Sequence, residues 1–364
     1  MRNDFGVIEV TMVRRSNVLG PPRLERTLKL IIAGTSNGIF HNGYQASLKK
    51  AFPDATVVNR SLGASPADFT VFRIADISIS PGDIVVVETM VNDAAALRAG
   101  GFSAKRLDEV LRFVMNEIRR NGATPLAIMI PGRVRDQHTA AAQATHMAVY
   151  RDLGITIIDG CSWISNKASS LNSDYDEMFE DPAHLKREYA RELGETVAEH
   201  AAGRFPDSLC RDLDYALVFE PVVIGGNTIP SNPDALVRNQ VNTSLMQCET
   251  VTFRDQAITL ALDNNRSLYG FVVDAMRTSA VVEVSGDKTV AKDLRFDYDS
   301  KSNARMIVTP ILETVRTQGS RITLTQHASW PGPVERSHYT VKAAQPVPEL
   351  TLAGYIFKEH SERA

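Results

Sequence analysis

The sequence predicts an α/β fold with helices on both faces of a parallel sheet, followed by an all-β sandwich domain. Two changes of pattern along the chain carry this prediction. Between residues 28 and 203, short β-branched apolar runs alternate with amphipathic segments, as in parallel strands joined by helices. After Phe205 and Pro206, the runs become short and alternating, with Gly, Asn, Asp and Ser between them, as in antiparallel sandwiches. The length of 364 residues also favours more than one domain.

Five apolar runs closed by turn residues predict five buried strands in the first domain, which we place at residues 26–204. These runs are "LKLIIAG", "ATVVNRSLG", "DIVVVETMVND", "PLAIMIPG" and "ITIIDG". The segment "SAKRLDEVLRFVMNEIRRNG" predicts a helix that is capped by Ser103 and closed by Gly122. A second helix is predicted in "HLKREYARELGETVAEHA", where apolar side chains recur every four residues.

The second domain is placed at residues 210–364, where six short runs predict antiparallel strands. These runs are "ALVFEPVVIGGN", "ETVTFRDQAITLALDNN", "SLYGFVVDA", "SAVVEVSG", "ARMIVTPIL" and "SRITLTQHASW". Residues 1–25 form an N-terminal arm. Its run "FGVIEVTMVRR" is a candidate strand for pairing with the C-terminal sheet, because the linker "NVLGPPR" follows it.

Composition excludes several classes of partner. The formal net charge is -3, and no basic run is long enough to follow a phosphate backbone, which argues against nucleic acid. No apolar run approaches the ~20 residues that cross a bilayer, and the N-terminus lacks a signal-peptide core. Cys161, Cys210 and Cys248 are too far apart for a disulfide framework or a metal cluster. We therefore expect a cytoplasmic protein without metal or cofactor, with homo-oligomerisation left open.

The motif Gly34-Thr35-Ser36-Asn37-Gly38 raises the question of a nucleophilic serine. It fits the G-x-S-x-G turn that presents a serine after a strand, although glycine-flanked serines also occur by chance. A nucleophilic serine needs a base and a group that orients the base. His184 and Asp181 in "FEDPAHLKREYA" are the best candidates, because they follow the last strand of the first domain. The alternatives are a surface histidine and a helix N-cap before proline.

An oxyanion hole needs hydrogen-bond donors where negative charge develops. The candidates are the backbone N–H of Ser36, the N–H of Gly63 in "NRSLGAS", and the amide of Asn92 in "ETMVND". Taken singly, Gly63 is explained as a turn glycine, and Asn92 as a loop asparagine bonded to its own backbone. Their position after successive predicted strands favours the catalytic interpretation.

This set of residues resembles the SGNH (GDSL-type) hydrolase superfamily over roughly residues 26–204. That family has a flavodoxin-like fold, with its nucleophile after the first strand and oxyanion donors after the second and third. An Asp-x-x-His pair comes near the end of its domain. The resemblance implies Ser36, His184 and Asp181 as a catalytic triad, with Gly63 and Asn92 as oxyanion donors.

Two positions depart from the family pattern and indicate a divergent branch. Thr35 stands where the family usually has Asp, and Met90 stands where the third block usually has Gly. An α/β-hydrolase is the other fold with this serine motif. It is disfavoured because one predicted strand precedes Ser36, and because the acid and the histidine share one loop.

Five further residues have chemistry suited to a site but simpler explanations. His41 is predicted on the helix that follows Ser36, where its side chain is a candidate for binding substrate. Arg133 and Arg135 follow the fourth strand, where either side chain could bind an anionic substrate group or remain solvated. Asp93 is expected to brace its loop. Trp330 could stack on a sugar ring, although packing explains most tryptophans.

The sequence therefore predicts a serine esterase that hydrolyses acyl esters through a Ser-His-Asp triad and an acyl-enzyme. We expect acetyl esters on a carbohydrate or a small molecule as substrates, because appended β-sandwiches often bind sugars. Two alternatives remain open. The same triad serves an O-acyltransferase that modifies a glycan, and a degenerate hydrolase fold could act as a glycan-binding or protein-binding module.

Overall fold

The computed structural model describes residues 27–75, 77–203, 210–243, 246–296, 305–337 and 347–361. The predicted N-terminal arm lies outside these residues, and its pairing with the C-terminal sheet stays a prediction. Strands and helices alternate in residues 27–203, whereas strands dominate residues 210–361. This division follows the change of pattern near Phe205 in the sequence.

The first part contains a five-stranded sheet whose paired strands are all parallel. Its strands are β1 (Lys29–Gly34), β2 (Thr56–Asn59), β3 (Ile84–Glu88), β4 (Thr124–Ile128) and β5 (Thr156–Ile158). They are ordered β2-β1-β3-β4-β5, so the winding direction changes between β1 and β3. This is the flavodoxin-like order, in which ligands bind beyond the carboxyl ends of the strands.

Helices cover both faces of this sheet. They are α1 (Ser36–Ile39), α2 (Tyr44–Ala51), α3 (Ala67–Ala75), α4 (Met90–Arg98), α5 (Ala104–Arg120), α6 (Gln137–Asp152), α7 (Gly160–Ser170) and α8 (Arg187–Ala202). One apolar core joins the sheet to α3, α4, α5 and α6, and another joins its opposite face to α2, α7 and α8. The two cores hold the strand ends, and therefore the site residues, at one edge.

The predicted helix after Ser103 is present as α5. The Ser103 side chain accepts a hydrogen bond from the Arg106 N–H (3.2 Å), and the apolar stripe of the helix is buried. Gly122 follows its end with a left-handed backbone (φ +73°), which glycine adopts without a Cβ clash.

The last predicted helix begins later than its sequence suggests. His184 does not open it, because α8 starts at Arg187. Residues 179 and 185 instead form an antiparallel bridge, in which the Glu180 N–H donates to the His184 carbonyl (2.9 Å). Asp181 is correspondingly not a helix cap. Its Oδ1 accepts from the N–H groups of Ala183 and His184 within a tight turn.

The second part is a sandwich of two antiparallel sheets. Its strands are β6 (Tyr215–Pro221), β7 (Thr228–Pro230), β8 (Val237–Thr243), β9 (Met246–Arg254), β10 (Ile258–Ala261), β11 (Arg266–Asp274), β12 (Val281–Ser285), β13 (Thr289–Asp293), β14 (Met306–Arg316), β15 (Arg321–His327) and β16 (Glu349–His360). One sheet has the order β13-β12-β15-β10-β7. The other has the order β14-β11-β16-β9-β8, with β6 also paired to β16. An apolar core fills the space between the sheets.

The six-stranded sheet is buried on both faces, which joins the two parts of the chain. On β11, Phe271 and Val273 belong to the sandwich core, whereas Tyr269 and Val272 belong to the core shared with α3 and α5. The buried Arg106 guanidinium adds a polar link, since it donates to the Ile311 carbonyl (2.8 Å) and lies 4.5 Å from the Tyr269 ring centroid. The β part therefore packs directly on α3 and α5.

Candidate active site

Ser36 is the first residue of α1, immediately beyond the carboxyl end of β1. The glycines on either side of its turn are needed for close packing. A Cβ on Gly34 would lie 2.8 Å from Tyr44 Oη, and one on Gly38 would lie 2.3 Å from Ser61 Oγ. The G-x-S-x-G pattern therefore has a steric cause here. Without a Cβ at these two positions, the backbone of the serine turn packs directly on the Tyr44 and Ser61 side chains.

Ser36, His184 and Asp181 form one hydrogen-bonded row. The Ser36 Oγ is 2.6 Å from His184 Nε2, and His184 Nδ1 is 2.6 Å from Asp181 Oδ2. The serine and the histidine are 148 residues apart in the chain. Their approach is the spatial arrangement that the sequence motif requires, since a serine hydroxyl reacts as a nucleophile when a base within hydrogen-bond reach takes its proton.

The Asp181 carboxylate is suited to hold a positive charge on His184. Burial by itself raises the pKa of Asp181, but hydrogen bonds from the His184 ring and the Ala183 N–H outweigh it. The pKa of Asp181 is consequently below its usual value, and the group stays ionised. An ionised partner orients the imidazole and favours the imidazolium that forms when the histidine takes a proton.

The His184 ring packs on Phe40, and the loop that carries it is tied to the serine turn. Phe40 meets it edge-to-face with ring centroids 5.0 Å apart, and the Arg187 guanidinium carbon lies 3.2 Å from the centroid of the Phe40 ring. The buried Asn37 side chain donates to the Ala183 carbonyl (3.2 Å), so the turn that carries Ser36 is tied to the loop that carries the histidine. These contacts fix the distance between base and nucleophile.

Gly63 and Asn92 lie on the two loops beside Ser36. A Cβ built on Gly63 would be 3.8 Å from the Ser36 Cβ, so the Gly63 backbone borders the nucleophile. The Asn92 amide donates to the Ser65 carbonyl (3.3 Å), and its second N–H remains for another acceptor.

Ala64, between Gly63 and Ser65, has a left-handed backbone (φ +55°), which costs about 1 kcal/mol for an L-residue. Strain of this kind persists where the surroundings fix the loop.

Asp93 fixes the loop that carries Gly63 and Ala64 through buried hydrogen bonds. The sequence predicts this bracing role for Asp93. Its Oδ1 accepts from the Ala67 N–H (2.7 Å), and its Oδ2 accepts from Thr89 Oγ1 (2.8 Å). His146 Nε2 lies 2.8 Å from Asp93 Oδ2, and His146 Nδ1 lies 3.0 Å from Tyr150 Oη. The start of α3, which follows the Gly63 loop, is thus locked to the start of α4, which carries Asn92.

Glu88 is a further buried residue of the site that the sequence interpretation missed. Its Oε2 accepts hydrogen bonds from the Thr35 N–H (3.1 Å) and from Thr35 Oγ1 (2.7 Å). Burial raises the pKa of Glu88 to about 8, against the lowering effect of the Thr35 hydrogen bonds. Thr35, the residue before Ser36, is therefore bonded to a carboxyl group from the neighbouring strand. The sequence does contain a signal that could have indicated Glu88, because it is an acidic residue at the end of the apolar run "IVVVE".

The four other residues that the sequence suggested for the site lie in different parts of the structure. His41 is exposed in the turn after α1, not on a helix as predicted. Arg133 is half-buried, and its N–H donates to the Pro182 carbonyl (2.8 Å), which ties its loop to the histidine loop. The Arg135 guanidinium lies over the Tyr175 ring, 4.3 Å from its centroid. Trp330 packs against His327 in the β part, with ring centroids 5.0 Å apart.

Within residues 27–361 as described, no three His, Cys, Asp or Glu side chains are grouped so that they could hold a metal ion. In the same part of the chain, no helix has the length and apolar character of a membrane span.

Comparison with solved structures identifies the fold. A two-domain esterase active on acetylated mannans matches 93% of this chain and 92% of its own, at 16% identity and a TM-score of 0.64. Its structure co-crystallised with mannopentaose matches the same shares at 16% identity and a TM-score of 0.61. An acetyl xylan esterase matches 48% of this chain and 100% of its own, at 17% identity and a TM-score of 0.42.

No protein-family model and no curated protein sequence matches the chain. The similarity is therefore one of fold, and it extends over both parts of the chain. It agrees with the parallel five-stranded sheet and the antiparallel sheets described above. The chain has the SGNH hydrolase fold, followed by a C-terminal all-β domain.

Proposed function

We propose that this protein is a serine esterase that removes acetyl groups from a carbohydrate. The observation that carries the proposal is the hydrogen-bonded row from Asp181 through His184 to Ser36, with both heavy-atom distances at 2.6 Å. The similarity in fold to an esterase active on acetylated mannans supports the carbohydrate substrate.

The first half of the reaction forms an acyl-enzyme. His184 Nε2 takes the proton of Ser36 as Oγ attacks the ester carbonyl carbon, and Asp181 stabilises the imidazolium. The N–H groups of Ser36 and Gly63 and the free N–H of Asn92 donate to the oxyanion. The tetrahedral intermediate then collapses by breaking its bond to the sugar oxygen, and His184 gives the proton to that oxygen, which leaves as a sugar hydroxyl. The acetyl group remains on Ser36.

The second half releases the acetyl group. A water molecule occupies the place of the departed hydroxyl, and His184 takes its proton as its oxygen attacks the acyl carbon. The same oxyanion donors act again. Collapse of the second intermediate returns the proton to Ser36 Oγ and leaves acetate, so the enzyme is regenerated without any change in oxidation state.

The test is hydrolysis of p-nitrophenyl acetate and labelling by a fluorophosphonate probe. We expect the wild-type protein to react with both, and Ser36→Ala to lose labelling and at least about 10³-fold in rate. Ser169→Ala is the matched control, because Ser169 is exposed on α7 and its hydroxyl donates to the Ser165 carbonyl of the same helix. It should behave as wild type.

Two outcomes would contradict the proposal. A wild-type protein that neither labels nor hydrolyses esters would identify a degenerate fold that acts by binding. A protein that transfers acetyl groups from a donor ester to an added glycan, without releasing acetate, would be an O-acyltransferase using the same three residues.

A further inference from the structure

A cavity of about 520 Å³ lies beyond the carboxyl ends of β4 and β5, outside the row of Ser36, His184 and Asp181. Its walls come from the loop after β4, the first turns of α6 and α7, and Tyr175 in a short 3-10 helix (Tyr175–Met178). β4 is two strands from β1, so the cavity begins about 10 Å from the strand that carries Ser36. A chain of a few sugar rings spans such a distance.

The cavity is joined to the histidine loop through short contacts. Tyr175 Oη donates to the Gly132 carbonyl (3.4 Å), and the next residue, Arg133, donates its N–H to the Pro182 carbonyl (2.8 Å). Tyr175 also packs against Phe179, whose bridge with Leu185 frames the histidine turn. The wall of the cavity and the turn that carries His184 are therefore one packed unit.

Arg135 brings an uncompensated positive charge to this cavity. Its guanidinium is stacked on the Tyr175 ring, and it forms no ion pair with any of the described residues. The neighbouring Asp136 carboxylate does not neutralise the Arg135 guanidinium. Asp136 Oδ2 pairs with Arg98 (2.6 Å), and Asp136 Oδ1 accepts from the N–H groups of His138 and Thr139. Stacking orders the guanidinium face and leaves its N–H edges to bind an acceptor.

Two side-chain amides complete the polar lining. Gln143 of α6 and Asn166 of α7 border the cavity, and neither makes a side-chain hydrogen bond to the described residues. Each amide has two donors and one acceptor, which suits the hydroxyl groups of a sugar. The cavity thus combines a guanidinium, whose fork matches a carboxylate, with groups that match vicinal hydroxyls.

We propose that this cavity is a subsite for a uronic acid residue of the acetylated glycan, with Arg135 binding the sugar carboxylate. The inference rests on the proposed function, since it names the class of glycan that the esterase selects. The acetylated ring lies at Ser36, and the uronate lies about two strand spacings away, at the end of β4. Arg135 is then a specificity-determining residue rather than a catalytic one.

The test compares hydrolysis of acetylated oligogalacturonides with hydrolysis of acetylated, neutral manno-oligosaccharides. We expect wild type to have the higher kcat/KM on the acidic substrate, and Arg135→Gln to reduce the acidic-to-neutral ratio about tenfold or more, mainly through KM. Arg151→Gln is the matched control, because Arg151 is an exposed arginine near the end of α6 and lines no part of the cavity. It should leave the ratio as in wild type.

The proposal fails if wild type has no preference for the acidic substrate, or if Arg135→Gln lowers both activities equally. Calorimetric binding of unacetylated oligogalacturonide and manno-oligosaccharide to Ser36→Ala separates this failure from that of the proposed function. Tight binding of the acidic oligosaccharide, lost in Ser36→Ala/Arg135→Gln, supports the subsite even in a protein without esterase activity. Equal binding of both oligosaccharides overturns it.

Discussion

Glu88 couples the stability of the α/β part to pH, and Glu88→Gln tests this coupling. The side chain is fully buried at the end of β3, where it accepts two hydrogen bonds from Thr35, next to Ser36. Glutamine keeps the size of the side chain and an oxygen for these bonds, but it has no proton to lose. The substitution therefore removes the titration while preserving the shape of the site.

The direction and size of the effect follow from the pKa of Glu88. Burial raises it from 4.5 to about 8 in the folded protein. Between these values the unfolded chain has released the proton and the folded chain retains it, so stability falls as pH rises. The loss relative to pH 4 is about 3 kcal/mol at pH 7, at 1.36 kcal/mol per pKa unit. It approaches about 5 kcal/mol above pH 8.

The assay is urea unfolding at a series of pH values between 4.5 and 8.5. The chain has two tryptophans, Trp163 in the α/β part and Trp330 in the β part, so Trp330→Phe lets fluorescence report the α/β part. The free energy of unfolding of Glu88→Gln minus that of its parent should increase with pH by about 3 kcal/mol up to pH 7. Glu195→Gln, an exposed change on α8, should show no such trend. A difference that stays constant across this range would refute the reasoning.

Two other substitutions test the site and the packing. Asn92→Ala removes one of the proposed oxyanion donors and should lower kcat by about 10²–10³-fold with little change in unfolding by urea; a kcat within threefold of wild type would remove Asn92 from the oxyanion hole. Gly194→Ala on α8 would place a Cβ 2.6 Å from the Tyr44 carbonyl oxygen, so the urea midpoint should fall by the equivalent of about 1–3 kcal/mol. Glu195→Ala is its control, and an equal effect of both substitutions would contradict the close approach of α2 and α8.

Much of the site could be predicted because of where its residues stand in the chain. Ser36, Gly63 and Asn92 follow three consecutive strands, and the carboxyl ends of parallel strands meet at one edge of the sheet. The details of the histidine loop could not be predicted. An Asp before a proline has the pattern of a helix cap, and only the bridge between residues 179 and 185 shows that α8 begins later.

The role of Glu88 was inaccessible to sequence patterns for a similar reason. Its partner Thr35 is 53 residues away, and no periodicity links the two positions. The double burial of the six-stranded sheet was equally hidden. The run on β11 indicates a buried strand, but not that Tyr269 and Phe271 face different cores.

The sequence by itself determined the order of strands and helices, the change to an all-β domain, and the strand ends at which polar site residues stand. These properties depend on local periodicity and turn residues, which act over a few positions. Tertiary structure alone decided the 2.6 Å contact of Ser36 with His184, the burial of Glu88, and the stacking of Arg135 on Tyr175. Such features depend on contacts between segments far apart in the chain, because burial and charge compensation are set by whichever segments pack together.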